Sequence, residues 1–73
     1  PGYEITVGDD GVYTLTGGTI DYLLDTTYAE DDESMRRFQQ FLIKEGIIDA
    51  LRERGATDDS TIRMGEWEFD FIE

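Results

Sequence analysis

Gly55-Ala56-Thr57-Asp58-Asp59-Ser60-Thr61-Ile62-Arg63-Met64-Gly65-Glu66-Trp67-Glu68-Phe69-Asp70-Phe71 decides the fold. Gly55 stops a helix, and residues 57–60 are a polar turn. A short strand follows through Ile62, the chain reverses at Gly65, and a second strand closes the segment. In that last strand Trp67, Phe69 and Phe71 fall on one face and Glu66, Glu68 and Asp70 on the other. Such a period of two is the mark of a strand buried on one side. The acids Glu66, Glu68 and Asp70 then form a solvent-facing row, a candidate contact for a partner.

Working outward, the other end of the chain repeats the pattern. Tyr3-Glu4-Ile5-Thr6-Val7 alternates apolar and polar, Gly8-Asp9-Asp10-Gly11 is a turn, and Val12–Thr16 is rich in β-branched and aromatic residues. The pair predicts a hairpin with Tyr3, Ile5 and Val7 on its inner face opposite Tyr13 and Leu15. Between the hairpins the period changes to that of a helix. Gly17-Gly18 ends the first hairpin, Thr19 is expected to cap a short helix, and Ile20, Leu23 and Leu24 give it one apolar stripe. Residues 26–29 lack helical periodicity and read as a connector. An acidic run, Glu30-Asp31-Asp32-Glu33, precedes a second helix over about residues 33–45, with Met35, Phe38, Phe41 and Leu42 at helical spacing. Gly46 is placed as its left-handed stop, with Ile47 folding back. A third helix over about 48–54 turns Ile48 and Leu51 inward and places Arg52 and Arg54 in its last turn.

The order is therefore β-β-α-α-α-β-β. Strands gathered at the two ends with helices between them define an α+β fold. Two hairpins are expected to join in a mainly antiparallel four-stranded sheet, covered by helices on one face. The single proline is residue 1, so no internal element is broken. Residues 1–73 are read as one domain. The chain opens on Pro1-Gly2 without an initiator methionine, and is expected to be a processed product or a piece of a larger protein.

Composition removes several function classes. Seventy-three residues bury only about 60% of their unfolded surface, so stability is modest and a deep substrate cleft has little room. Cysteine and histidine are both absent. Disulfides, Cys/His zinc patterns and the usual neutral-pH base go with them. No apolar run among these residues approaches the roughly 20 needed to span a bilayer, and no stretch of them has the basic start and apolar middle of a secretory leader.

Eighteen acidic residues against six basic ones give a net charge of −12. That field repels nucleic acid, so no direct contact with it is expected. The charge is unevenly spread. Arg36, Arg37, Lys44, Arg52 and Arg54 face only Glu45, Asp49 and Glu53 within residues 36–54, a net of +2, which leaves −14 for the remainder. Arg36 and Arg37 join the acidic row as candidate partner contacts.

No constellation of catalytic residues stands out, and none is assigned. Glu30–Glu33 lacks the alternate ligands, central glycine and distant glutamate of a calcium loop, and reads as a helix cap. Asp9 and Asp10 read as turn residues. Lys44 stands in Ile43-Lys44-Glu45-Gly46, which is not the Gly-x-x-x-x-Gly-Lys-Ser/Thr run of a P-loop. The aromatic residues are interleaved with acids, which suits a small core and not a stacking platform for single-stranded nucleic acid.

The closing segment resembles that of the C-terminal domain of the Obg (CgtA) GTPases. There a helix ending in Gly-Ala leads to a Thr-hydrophobic-Arg strand, then Gly, an acid, an aromatic, and alternating Glu/Asp and Phe. The resemblance extends over nearly the whole chain: Tyr3–Val7, Asp9–Gly11, Val12–Gly17, Ile20–Leu24, Asp31–Glu33, Arg36-Arg37-Phe38-Gln39-Gln40, and Leu42-Ile43-Lys44-Glu45-Gly46-Ile47-Ile48-Asp49-Ala50-Leu51. One departure is Asp59-Ser60-Thr61, where the family usually has Gly-Asp-Thr. The resemblance implies a bacterial cytoplasmic parent protein with a glycine-rich N-terminal domain and a P-loop GTPase domain using GTP and Mg2+. Such proteins act in large ribosomal subunit assembly and in the stress (stringent) response. It further implies a non-enzymatic regulatory appendage here, with its own GTPase domain and ribosomal or stress-response proteins as partners. None of the GTPase motifs lie in this chain, so no nucleotide or metal ligand is carried over. The competing expectation is a free-standing acidic mimic of nucleic acid that blocks a basic groove.

Overall fold

The protein is described from a computed structural model that covers residues 2–71; the proline at position 1 lies outside the described residues. Elements appear in the expected order: β1 (Glu4–Val7), β2 (Tyr13–Thr16), α1 (Gly18–Asp25), α2 (Asp32–Lys44), α3 (Ile47–Glu53), β3 (Thr61–Met64) and β4 (Trp67–Asp70).

The four strands form one sheet in the order β1-β2-β3-β4. Each hairpin is antiparallel, but the central pair, β2 with β3, is parallel, so the sheet is mixed. Parallel neighbours need a long crossover. The three helices supply it and return the chain to the end of the sheet from which β2 began.

Register sorts the side chains by face. Ile5 lies opposite Leu15, Val7 opposite Tyr13, Ile62 opposite Phe69 and Met64 opposite Trp67. These belong to the inner face, where Leu15, Ile62 and Met64 are buried with Ile20, Leu23, Phe38, Leu42, Ile47 and Leu51. The opposite face carries Thr6, Thr14, Thr61, Arg63, Glu68 and Asp70. The expected inner face of the first hairpin is correct in its pairing. Val7 nonetheless remains 46% exposed, because the helices leave its end of β1 uncovered.

Local sequence explains the helix ends. Asp31 accepts from the amides of Glu33 and Ser34 (2.9 and 3.3 Å) and so caps α2. Gly46 stands at φ 76°, the left-handed turn between α2 and α3, and Ile47 just beyond it is fully buried. The start of α1 differs from expectation: Gly17, not Thr19, is its N-cap, and no side chain caps it. Here the amide of Thr19 donates to the Gly2 carbonyl (3.0 Å), so the chain's opening residues satisfy the helix end. Gly17 itself sits at φ 122°, and a Cβ there would lie 2.6 Å from the Gly2 carbonyl oxygen and 2.8 Å from Tyr3 Cα. No side chain fits.

The connector at residues 26–29 is held by two hydroxyls. Thr27 Oγ1 donates to the Leu23 carbonyl (2.7 Å), and the amide of Tyr28 donates to the buried Ser34 Oγ (2.8 Å). Phe38, Trp67 and Phe69 form an aromatic cluster with ring centroids 5.3–5.9 Å apart, joining α2 to β4.

Candidate functional site: the charged surfaces

The fold divides the five candidate contact residues between two sides. Arg36 and Arg37 are both exposed on α2, whose Phe38 and Leu42 turn toward the sheet. Arg37 Nη1 lies 3.7 Å from Glu33 Oε1, one helical turn away, with both side chains largely exposed. A pair of that kind contributes little and leaves the cation available. Arg36 has no hydrogen bond or ion pair among the described residues.

Glu68 and Asp70 lie on the opposite side, on the face of the sheet that no helix covers, and Glu66 lies in the turn before β4. Glu68 is the anchored member. Arg63, its cross-strand neighbour, directs both Nε and Nη2 at Glu68 Oε2, each at 2.9 Å. This neutralises one acid, while Glu66 and Asp70 have no ion pair among the described residues. The arginine pair and the acidic row lie on opposite sides of the domain and therefore cannot act as one site.

Other groups singled out in the sequence are engaged in structure. Asp10 Oδ1 accepts from the amide of Val12 (3.0 Å) within the first turn. Asp31 is the cap described above. Among the described residues, no three acidic side chains converge in a way that could hold a metal ion. An open apolar cleft of about 550 Å³ lies between α2, α3 and the second hairpin, with Met35, Ile48, Phe69 and Phe71 in its wall. The Arg52 guanidinium stands 5.9 Å from the centre of the Phe71 ring at that cleft, and its Nη1 is 2.9 Å from Asp49. Ile43, at the cleft, and Tyr22 and Tyr28, on the surface elsewhere, are each more than 60% exposed.

Sequence reading missed Arg54. Its carbonyl accepts from the Tyr13 hydroxyl (3.2 Å), and its Nη2 donates to the Ile5 carbonyl (3.1 Å), tying the end of α3 to both strands of the first hairpin. Position 54 read only as a cation suited to a helix end. Nothing local announces a contact 49 residues away.

Taken together, fold and surface define a class: a small acidic α+β domain, with a mixed sheet backed by three helices and charge on both outer sides. The chain belongs to the family described as "Domain of unknown function (DUF1967)", which matches residues 3–71 and is the C-terminal domain of Obg GTPases. It is 45% identical over 71 residues to the GTPase Obg of Halalkalibacterium halodurans, covering 97% of this chain and 17% of that protein. To the GTPase Obg of Geobacillus kaustophilus it is 44% identical over 73 residues, 100% of this chain and 17% of the relative. With the GTPase Obg of Clostridium novyi it shares 41% identity over 70 residues, 96% of this chain and 16% of the relative. The chain thus spans about one sixth of the length of the curated relatives it matches. No solved structure matches it. Among the described residues, no helix is long and apolar enough to cross a membrane.

Proposed function

We propose that residues 1–73 are one domain, the regulatory and partner-contacting appendage of a cytoplasmic Obg-type GTPase that acts in large ribosomal subunit assembly and the stress (stringent) response. What carries the reading is the identity of 41–45% to proteins named GTPase Obg, sustained over almost the whole chain. GTP and Mg2+ belong to the parent's GTPase domain. The residues here do not fit them: there is no Gly-x-x-x-x-Gly-Lys-Ser/Thr run and, among those described, no convergent acidic cluster. The domain performs no reaction of its own. It works through its surfaces on the parent's GTPase domain and on ribosomal or stress-response proteins. A net charge of −12 favours basic proteins as those partners and opposes direct contact with nucleic acid or anionic membrane.

The test is removal of residues 1–73 from the parent, followed by GTP hydrolysis, co-sedimentation with the large ribosomal subunit and survival of starvation. A change in at least one is expected. A truncated parent that matches the intact one in all three discards the reading.

A further inference from the structure

The two edges of the sheet are not equivalent. In an antiparallel pair, residues alternate between those whose amide and carbonyl point at the neighbouring strand and those whose groups point away. In the first hairpin the Gly8 amide donates to the Val12 carbonyl (3.0 Å), so two residues back and four residues back along β1 also point inward. Ile5 and Val7 therefore turn their backbone groups to the open side of β1. In the second hairpin the Phe71 amide donates to the Ser60 carbonyl (2.9 Å). By the same alternation Phe69 and Trp67 bond to β3, and Glu68 and Asp70 turn their amides and carbonyls to the open side of β4.

At the β1 edge the Arg54 guanidinium already occupies the Ile5 carbonyl. At the β4 edge the outward amides and carbonyls of Glu68 and Asp70 have no partner among the described residues. An edge in this state is a template for one more strand. Side chains set which strand. On the uncovered face the edge shows Glu68 and Asp70; on the helix side it shows the half-buried Trp67 and Phe69, with half-buried Met35 lining the same cleft as Phe69. An incoming strand alternates in the same way, so one row of its side chains meets the acids and the other meets the aromatics.

We infer that the open edge of β4 receives an extended segment of another protein in which basic and apolar residues alternate. This rests on the interaction role proposed above and names the surface and the chemistry of the partner. A second copy of this chain is the wrong occupant, because antiparallel pairing of β4 with itself sets acids opposite the same acids. The overall charge acts in the same sense, repelling a copy and drawing a cationic segment.

The experiment uses the 73-residue chain and a short synthetic peptide alternating lysine and valine, with amide exchange read residue by residue. Binding is expected to slow exchange at Glu68 and Asp70 by roughly tenfold or more, as for amides that gain a hydrogen bond in a sheet. A peptide of the same composition with its lysines gathered at one end should not do so. Asp70→Pro deletes one outward donor without touching the ladder to β3, and is expected to abolish binding while the remaining spectrum is retained. As a variant independent of proline, E68K with D70K is expected to transfer preference to a peptide alternating glutamate and valine. Protection appearing at Ile5 and Val7 instead, equal binding by the gathered-lysine peptide, or no protection at either edge overturns the inference. The two readings fail separately. If deleting residues 1–73 alters the parent while the peptide leaves β4 unprotected, only the edge is wrong. If the peptide protects β4 while the deletion is silent, the edge stands and the regulatory role falls.

Discussion

Ile47 and Ile43 show how little residue type alone says about importance. Both are isoleucines in the same helical region, yet Ile47 is 0% exposed and Ile43 is 65% exposed. Ile47→Ala removes atoms from a closed core and is expected to cost about 2–5 kcal/mol. Ile43→Ala is expected to stay within about 0.5 kcal/mol of the parent. Urea denaturation of the two variants checks both, and similar losses would show that the core boundary is misplaced. At Gly17 the backbone is the constraint. Alanine there meets the Gly2 carbonyl and Tyr3 Cα at a positive φ, so Gly17→Ala is expected to destabilise by more than about 1 kcal/mol. The same exchange at Gly18, where an added Cβ meets nothing within 4 Å, is expected to be neutral or stabilising.

At the scale of elements, the unit of stability is the contact between hairpins. A two-stranded hairpin is marginal by itself in water, and here each becomes part of a sheet only through the parallel pairing of β2 with β3. Both central strands carry buried residues: Tyr13 and Leu15 in β2, Ile62 and Met64 in β3. β1 carries none. Amide exchange is therefore expected to be slowest in β2 and β3 and fastest in β1. Equal protection of β1 would mean that the Arg54 tie holds that strand more firmly than its burial implies. The other contact of Arg54, to Tyr13 of β2, can be probed separately. Tyr13→Phe deletes the hydroxyl that donates to the Arg54 carbonyl, and is expected to cost about 1 kcal/mol in thermal or chemical denaturation.

Across the whole molecule, the excess of negative charge outweighs any single ion pair. A compact chain carrying −12 repels itself, and dissolved salt screens that repulsion over about 10 Å at 0.1 M. The isolated domain is expected to melt at a higher temperature in about 0.3 M than in about 0.01 M sodium chloride, by roughly a few degrees for a gain near 1 kcal/mol. A melting temperature that falls with salt would show that the few ion pairs, such as Arg63 with Glu68, outweigh the general repulsion.

Much of this was legible in the chain. The period-2 run at Trp67–Asp70, the helical stripe of Phe38 and Leu42, the acidic cap of α2 and the stop at Gly46 all became what their spacing implied, with the ends of α2 and α3 within a residue or so. Each is decided by neighbours a few positions away, and local periodicity records such information directly. The outer-face placement of Glu68 and Asp70 on β4 was legible for the same reason, whereas Glu66, expected in the same row, lies in the turn before the strand. What the sequence could not decide were the joins: that β2 meets β3 in parallel, that the Gly2 carbonyl and not the Thr19 side chain serves the start of α1, that Arg54 reaches back to Ile5. It also could not tell that Arg54 takes up one outward carbonyl of β1 while the outward groups of β4 have no partner among the described residues. Those depend on groups brought together across tens of residues by packing, and a backbone amide or carbonyl bears no side-chain signature of where it will point.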